Sequence, residues 1–118
     1  FRFSNGGAQE LFGVIPDLAT FGKGIANGYA VSAIAGRKDI MNLMEEIFFS
    51  STFGGEALSL TASFATMNKL QQQPVIATMV KQGEKIMAFL REAIREYAAD
   101  DIFSVSGHPV WSFLLIKD

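Results

Sequence analysis

The stretch "PDLATFGKGIANGYAVSAIAG", residues Pro16 to Gly36, decides the fold that this chain predicts. Its first part, "PDLATFG", is a short apolar run ended by glycine, and its length fits a buried strand better than a helix. "GKGIANGY" is turn material, and "AVSAIAG" is a second short strand, uncharged as strands covered on both faces tend to be. The one lysine of the stretch, Lys23, therefore follows directly after a strand.

The rest of the chain alternates between turns and periodic apolar segments. The first fifteen residues place three glycines and an asparagine among aromatic residues, which predicts a loop. Apolar spacing then predicts a helix of two to three turns in "RKDIMNLMEEIFF", a helix from Glu56 to Leu70 capped by the preceding serine or threonine, and a long helix from Pro74 to about Ala98. Gly83 inside the long helix indicates a bend or a domain junction. A strand, a Gly-His-Pro turn and a second strand close the chain, so the element order is α/β or α+β.

Composition excludes several classes of function. The chain has 118 residues, of which 49% are hydrophobic and 19% charged, so it can bury a core. The formal charge is -2 and there is no basic block, which argues against nucleic acid or an anionic membrane surface as a partner. No apolar run approaches the roughly 20 residues that span a bilayer. The chain begins at Phe1 and ends on an apolar stretch that reads as an interrupted strand, so we expect a piece of a longer protein.

Cysteine and histidine usage limits metal and redox chemistry. The chain has no cysteine, which excludes a disulfide framework or a thiolate metal site and favours a reducing compartment, so we expect a cytoplasmic protein. The single histidine, His108, cannot form a metal site without carboxylates around it. We interpret it as a turn residue beside a proline and leave it out of the site, and we expect no metal.

Lys23 lies between two glycines at the end of a predicted strand, where open α/β folds place ligand-binding loops. The glycines let the backbone turn tightly and let a ligand approach. An ammonium held in a poorly hydrated pocket has its neutral form favoured, and a neutral amine attacks a carbonyl group, so a Schiff base is the functional interpretation. The alternative is a lysine on an exposed glycine turn, which is common in any protein.

The stretch "SSTFGGEALSL", from Ser50 to Leu60, is the second candidate. Hydroxyl groups, free backbone amides and the positive end of a helix dipole together suit a phosphate or another anion. The alternative is an ordinary helix cap with a glycine turn. No Walker pattern is present, so nucleoside triphosphate chemistry has little support.

Taken together, "GGAQELFGVIPDLATFGKGIANGYAVSAIAGRKDIM" and the later "FFSSTFGGEALSL" closely resemble the class III aminotransferases, which use pyridoxal 5'-phosphate. The nearest resemblance is to the branch that contains glutamate-1-semialdehyde 2,1-aminomutase. The resemblance implies an α/β chain of fold type I. Residues 1–73 would then belong to the large, mostly parallel-sheet domain that binds the cofactor. Residues 74–118 would form a bridging helix and the start of the small α+β C-terminal domain.

The resemblance also implies the roles of two residues. Lys23 is expected to form the internal aldimine with the cofactor and to move the proton during catalysis. Thr52 is expected to donate its hydroxyl and backbone amide to the cofactor phosphate in the site of the neighbouring subunit, which implies a homodimer with shared active sites. The expected activity is transfer of an amino group between a small amino donor and a carbonyl acceptor.

Two alternatives stay open at this point. One is the intramolecular amino shift of an aminomutase, and the other is a non-catalytic relative that keeps the fold. The family's aspartate for the pyridine nitrogen would precede Phe1, so the resemblance implies that this segment alone is inactive. The family often has proline where this chain has Ala30, and many members have Gly-Gly-Asn-Pro where this chain has Gly-Gly-Glu-Ala. The second departure, at Glu56, leaves the substrate branch open.

Overall fold

The computed structural model describes residues 2–117 and divides them into two compact units, the first ending at Gln73 and the second beginning at Pro74. The helices and strands run in chain order as α1 Ala8–Phe12, β1 Leu18–Phe21, a 3-10 helix Lys23–Ile25, β2 Ala33–Gly36, α2 Lys38–Met41, a 3-10 helix Asn42–Glu45, α3 Ala57–Gln72, α4 Val75–Glu96, β3 Phe103–His108 and β4 Trp111–Ile116. Among these residues no helix is both long enough and apolar enough to cross a lipid bilayer.

The strands β1 and β2 form the sheet of the first unit, as the sequence predicts. They pair antiparallel, with Leu18 opposite Gly36 at one end of the ladder. The Arg37 amide extends the ladder by donating to the Asp17 carbonyl at 3.0 Å, and its guanidinium pairs with the Asp17 carboxylate at 2.8 Å. Leu18 and Ile34 are exposed within this chain, and the expected cover on both faces stays a prediction.

Two short helices differ from their predictions. Residues 8–12 form α1 inside the segment predicted as a loop, because the Glu10 carboxylate accepts from the Gly6 amide at 2.7 Å and satisfies a donor ahead of the first turn. In the segment predicted as a helix of two to three turns, α2 has four residues and continues as a 3-10 helix of four more. Local side-chain capping and the tighter 3-10 winding are features that apolar spacing does not report.

The helix α3 begins one residue after the predicted Glu56 and ends two residues after the predicted Leu70. Its buried residues are Ser59 and Ser63, whereas the predicted apolar stripe leaves Leu60 and Phe64 exposed in this chain. The small hydroxyl residues therefore form the face of α3 that packs within the first unit.

The cap of α3 is Glu56, and the predicted serine or threonine cap is wrong. The Glu56 carboxylate accepts from the backbone amides of Leu58 and Ser59, each at 2.7 Å. The Ser59 hydroxyl together with these two amides holds the pKa of Glu56 below its ordinary value. A glutamate reaches amides two and three residues onward as a shorter cap does, but its preference for helix interiors hides this role in the sequence.

The second unit consists of α4 packed against the hairpin of β3 and β4. Pro74 is the N-cap residue of α4, and the hairpin register places Phe103 opposite Ile116 and His108 opposite Trp111. The turn is therefore Pro109 and Val110, so the predicted Gly-His-Pro turn is displaced by one to two residues. The two strands themselves are confirmed.

Gly83 is buried on α4 where the helix crosses the hairpin turn. A Cβ at this position would lie on the carbonyl oxygen of Pro109, far inside van der Waals contact. The helix continues through Gly83 without a break, and the two units divide at Gln73 and Pro74 instead. The predicted domain junction at Gly83 is therefore wrong, and the glycine is explained by close approach of the turn backbone.

We expect Gly83→Ala to destabilise the full-length protein, although alanine is favoured over glycine in an exposed helix interior by about 1 kcal/mol. The added methyl group meets backbone, which cannot rotate away, so the expected net cost is about 1 to 3 kcal/mol. Thermal unfolding followed by circular dichroism measures this cost. Gln82→Ala on the exposed side of α4 is the control, and a Gly83→Ala protein at least as stable as the wild type would contradict the packing argument.

We expect the Glu56 cap to make stability depend on acidity. Because the folded-state pKa of Glu56 is lowered, its stabilisation is present above about pH 4.3, the ordinary glutamate pKa, and is lost as pH falls through the folded value. Glu56→Gln, which does not titrate, should give an unfolding midpoint that falls less between pH 7 and pH 3 than that of the wild type. Glu46→Gln controls for the loss of one acidic charge. Identical acid limbs for the Glu56→Gln and wild-type proteins would show that the cap does not contribute.

Candidate functional site

The lysine turn, the 3-10 helix Lys23–Ile25, begins two residues after β1 ends. Gly22 is extended, and Lys23 has a φ of 51°, in the left-handed region that residues other than glycine rarely adopt. Such a conformation costs roughly 1 to 2 kcal/mol and persists where the surrounding structure holds it. Strain of this kind concentrates at functional sites. Asn27 and Ala98 also have a positive φ, of 46° and 47°, so Lys23 is one of three such residues among those described.

Buried apolar contacts hold the lysine turn from its C-terminal side. Ile25 is 6% exposed and Ala26 is 2% exposed, which makes them the main buried apolar residues of the first unit. The Ile25 amide donates to the Gly22 carbonyl, and the Tyr29 amide to the Ala26 carbonyl, both at 3.3 Å. The turn is therefore anchored two and three residues after Lys23, while the lysine itself is exposed.

The Lys23 side chain is exposed in this chain. A Cβ at Gly22 or Gly24 would meet no atom within 4 Å, so open space surrounds the backbone on both sides of the lysine. Across residues 2–117, no hydrogen bond or ion pair engages the Lys23 ammonium. The described residues thus present a free primary amine and do not form the poorly hydrated pocket considered from the sequence.

The helix α3 packs against the lysine turn within the first unit. The buried residues of this helix are Ser59, at 7% exposed, and Ser63, at 5%. No buried side-chain oxygen or nitrogen among the described residues lacks a hydrogen-bond partner. Small, satisfied hydroxyl side chains let the helix approach the turn closely without a polar penalty.

The threonine turn, residues 52–55, lies immediately before Glu56 and α3. The Gly54 amide donates to the Ser51 carbonyl at 3.2 Å, and the Glu56 amide donates to the Phe53 carbonyl at 3.1 Å. Gly55 has a φ of 86°, a conformation that favours glycine. Thr52 is exposed, and in the part of the chain that the structure describes neither its hydroxyl nor its amide is used in a hydrogen bond.

The positive end of α3 differs from the anion site expected from the sequence. The Leu58 and Ser59 amides, which would be donors for an anion at the helix end, already donate to the Glu56 carboxylate. A negative charge of the chain itself therefore occupies the N-terminus of this helix. Donors for a phosphate on this segment are limited to the threonine turn, which keeps Thr52 as the candidate and removes the helix end.

Lys23 and Thr52 both lie in the first unit, one on the lysine turn against α3 and the other on the turn that precedes α3. No hydrogen bond joins their side chains within residues 2–117. His108 lies in the second unit as the last residue of β3, where its Nδ1 accepts from the Val110 amide at 3.3 Å. It therefore takes part in the hairpin turn, in agreement with its omission from the site.

Sequence reasoning missed an open cleft of about 370 Å³ between α1 and the sheet of the first unit. Its walls are mainly apolar and include Ile15, Pro16 and Phe21, with Glu10 as its charged group. Neither Lys23 nor Thr52 lines it. The signal available in the sequence was Glu10 four residues after Gly6, the spacing of the hydrogen bond that forms α1.

Comparison with known proteins connects these features. The sequence model of the family described as aminotransferase class-III matches residues 3–108. The 3-aminobutyryl-CoA aminotransferase of Cloacimonas acidaminovorans is 39% identical over 118 residues, which is 99% of this chain and 28% of that protein. The glutamate-1-semialdehyde 2,1-aminomutase of Methanocaldococcus jannaschii is 37% identical over 101 residues, or 83% of this chain and 22% of that protein.

Solved structures share the fold. The PLP internal aldimine form of the FumI protein from Sphingopyxis sp. MTA144 aligns with a TM-score of 0.91 at 23% identity, covering 99% of this chain and 28% of that one. An omega-transaminase from Sphaerobacter thermophilus aligns with a TM-score of 0.80 at 28% identity, covering 92% of this chain and 25% of that one. Both likenesses support a fold type I arrangement of mixed helices and sheets.

The chain spans about a quarter of the length of these curated relatives, 28% and 22% of the two proteins named above. The family match nevertheless covers most of the chain and includes the lysine turn and the threonine turn. The chain therefore belongs to the class-III aminotransferase family.

Proposed function

We propose that the protein containing this chain transfers an amino group between an amino compound and a carbonyl compound with pyridoxal 5'-phosphate as cofactor. The observation that carries this proposal is the family match over residues 3–108. The match includes Lys23, which lies two residues after β1 with a strained backbone and has no ion pair or hydrogen bond to its ammonium among the described residues. The substrates of this reaction would be a small-molecule amino donor and a small-molecule carbonyl acceptor.

The donor set fits this cofactor on two independent groups. Lys23 offers a primary amine that no described residue pairs with, and open space adjoins its backbone. Thr52 offers a hydroxyl and a backbone amide that have no hydrogen-bond partner within residues 2–117, on a turn whose conformation Gly55 permits. An amine can bond to the aldehyde carbon of pyridoxal 5'-phosphate, and a hydroxyl and an amide can donate hydrogen bonds to its phosphate. When bound, this cofactor supplies an electron sink for the pair of electrons left at the substrate carbon.

In this proposal, Nζ of Lys23 has two roles. It would hold the cofactor covalently until the amino group of the substrate replaces it. The neutral amine released in this way would accept the proton from the substrate carbon that bears the nitrogen and later return a proton. The lysine turn suits both roles because Ile25 and Ala26 fix the backbone while the four-carbon side chain stays free to move.

Thr52 is proposed to bind the cofactor phosphate through its hydroxyl and amide, in the active site of a neighbouring subunit. This assignment extends to a homodimer with shared active sites. What supports it is the exposed position of the threonine turn, whose donors are not used inside the described residues. A cytoplasmic location belongs to the same proposal and is supported by the lack of cysteine.

An intramolecular amino shift is a second candidate, favoured by the 37% identity to the Methanocaldococcus jannaschii aminomutase. Both reactions use the same lysine chemistry. In amino transfer the first product leaves before the amino group is passed on, whereas in the intramolecular shift it stays bound. An absolute requirement for an added carbonyl acceptor would therefore indicate amino transfer.

We expect borohydride reduction of the full-length protein with pyridoxal 5'-phosphate to attach the cofactor permanently to Lys23. The visible absorbance of the complex should disappear on reduction, and mass spectrometry of a digest should place the added mass on the Lys23 peptide. Lys23→Ala should lose this label and should slow amino transfer by about 10²- to 10⁴-fold, the usual contribution of a positioned acid–base group.

Lys38→Ala, which removes an exposed lysine on α2, is the matched control and should keep the label. The proposal fails if the label is found on another residue, or if added cofactor gives no visible absorbance in the full-length protein. The second outcome would favour a non-catalytic relative that keeps the fold.

A further inference from the structure

Glu56 joins the threonine turn to α3 through hydrogen bonds in both directions along the chain. Its backbone amide donates to the Phe53 carbonyl at 3.1 Å, which closes the turn behind Thr52. Its carboxylate accepts from the Leu58 and Ser59 amides at 2.7 Å each, which fixes the turn to the first turn of the helix. One residue thus joins the threonine turn to the first turn of α3.

The same residue connects the threonine turn with the packed face of α3. Ser59, whose amide and hydroxyl both stabilise the Glu56 carboxylate, is one of the two buried residues of the helix. The helix packs against the lysine turn within the same unit. Glu56 is therefore hydrogen-bonded to the first turn of the helix that packs against the lysine turn.

The charge on Glu56 makes the geometry of the threonine turn decisive for a phosphate. A carboxylate already neutralises the positive end of α3, so the helix end does not attract a second anion there. Hydrogen bonds from three donors also reduce the repulsion that this carboxylate would exert on a nearby phosphate. Affinity for the phosphate must then come from the hydroxyl and amide donors of the threonine turn. These donors can bind one phosphate together only when the conformation of the turn directs both of them to it.

We propose that Glu56 is a positioning residue for the phosphate of the cofactor, acting through the conformation of the threonine turn. The proposal rests on the proposed function, since it requires that Thr52 bind the phosphate of pyridoxal 5'-phosphate. Glu56 itself does not contact the cofactor. Its acceptor geometry sets the affinity for the phosphorylated ligand, and its charge does not.

The test compares two probes, pyridoxal 5'-phosphate and pyridoxal, in titrations of the full-length apoprotein followed by absorbance and by protein fluorescence. Glu56→Ala should weaken binding of pyridoxal 5'-phosphate by roughly three- to thirtyfold, the range expected for loss of an N-cap residue. Binding of pyridoxal, which has no phosphate, should stay unchanged. Glu56→Asn, which keeps an acceptor oxygen without the charge, should restore the affinity for the phosphorylated probe.

Glu46→Ala is the matched control for removal of an exposed glutamate outside the turn. If Glu56→Ala does not fold, Glu56→Gly replaces it, because glycine is tolerated at the N-cap position but offers no acceptor. Circular dichroism shows which variants are folded.

Each outcome decides between distinct conclusions. If Glu56→Ala loses affinity equally for both probes, the role of Glu56 is merely structural. If its affinity for pyridoxal 5'-phosphate is unchanged, the cap does not affect phosphate binding. Either result overturns the inference. Failure of Glu56→Asn to rescue overturns the claim that geometry matters and charge does not. A wild-type protein that binds neither probe overturns the proposed function itself, which separates the two failures.

Discussion

The contact on which the first unit depends is the packing of α3 against the lysine turn. The buried residues of the helix are Ser59 and Ser63, and those at the end of the turn are Ile25 and Ala26. A larger side chain on that face of the helix would push it away from the turn, because packed interiors do not yield to added volume. Lys23 has its left-handed backbone next to this contact, between the strand β1 and the buried residues Ile25 and Ala26.

The lysine turn and the threonine turn offer different functional groups. The lysine turn offers an amine with no partner among the described residues, and the threonine turn offers a hydroxyl and an amide. The described residues enclose neither Lys23 nor Thr52. In both turns the backbone is fixed by hydrogen bonds, while the functional atoms stay exposed. Glu56 contributes by satisfying the end of α3 with a charge of the chain itself, so that a bound anion depends on the threonine turn.

Local sequence patterns predicted most of the helices and strands, but they did not predict the structural roles of individual residues such as Glu56 and Gly83. The strands around Lys23 and the boundaries of α3 follow from apolar run length and helical spacing, which are local properties. The Glu56 cap, α1 and the role of Gly83 depend on specific atoms meeting across a turn or between elements, and spacing does not encode such contacts. Periodicity identified the apolar face of α3, whereas the residues of this helix that are buried within the described part of the chain are Ser59 and Ser63. The roles of Lys23 and Thr52 came from resemblance and remain predictions.

The central claim is that Lys23 and Thr52 hold opposite ends of one cofactor from two subunits. A hybrid dimer of one Lys23→Ala subunit and one Thr52→Ala subunit, isolated with two affinity tags, tests it directly by its amino-transfer activity. The account predicts that the hybrid has one intact site and about half the wild-type activity, because both substitutions then fall in the same site. A hybrid no more active than half of the Thr52→Ala homodimer would contradict it, since each site would then contain one altered residue.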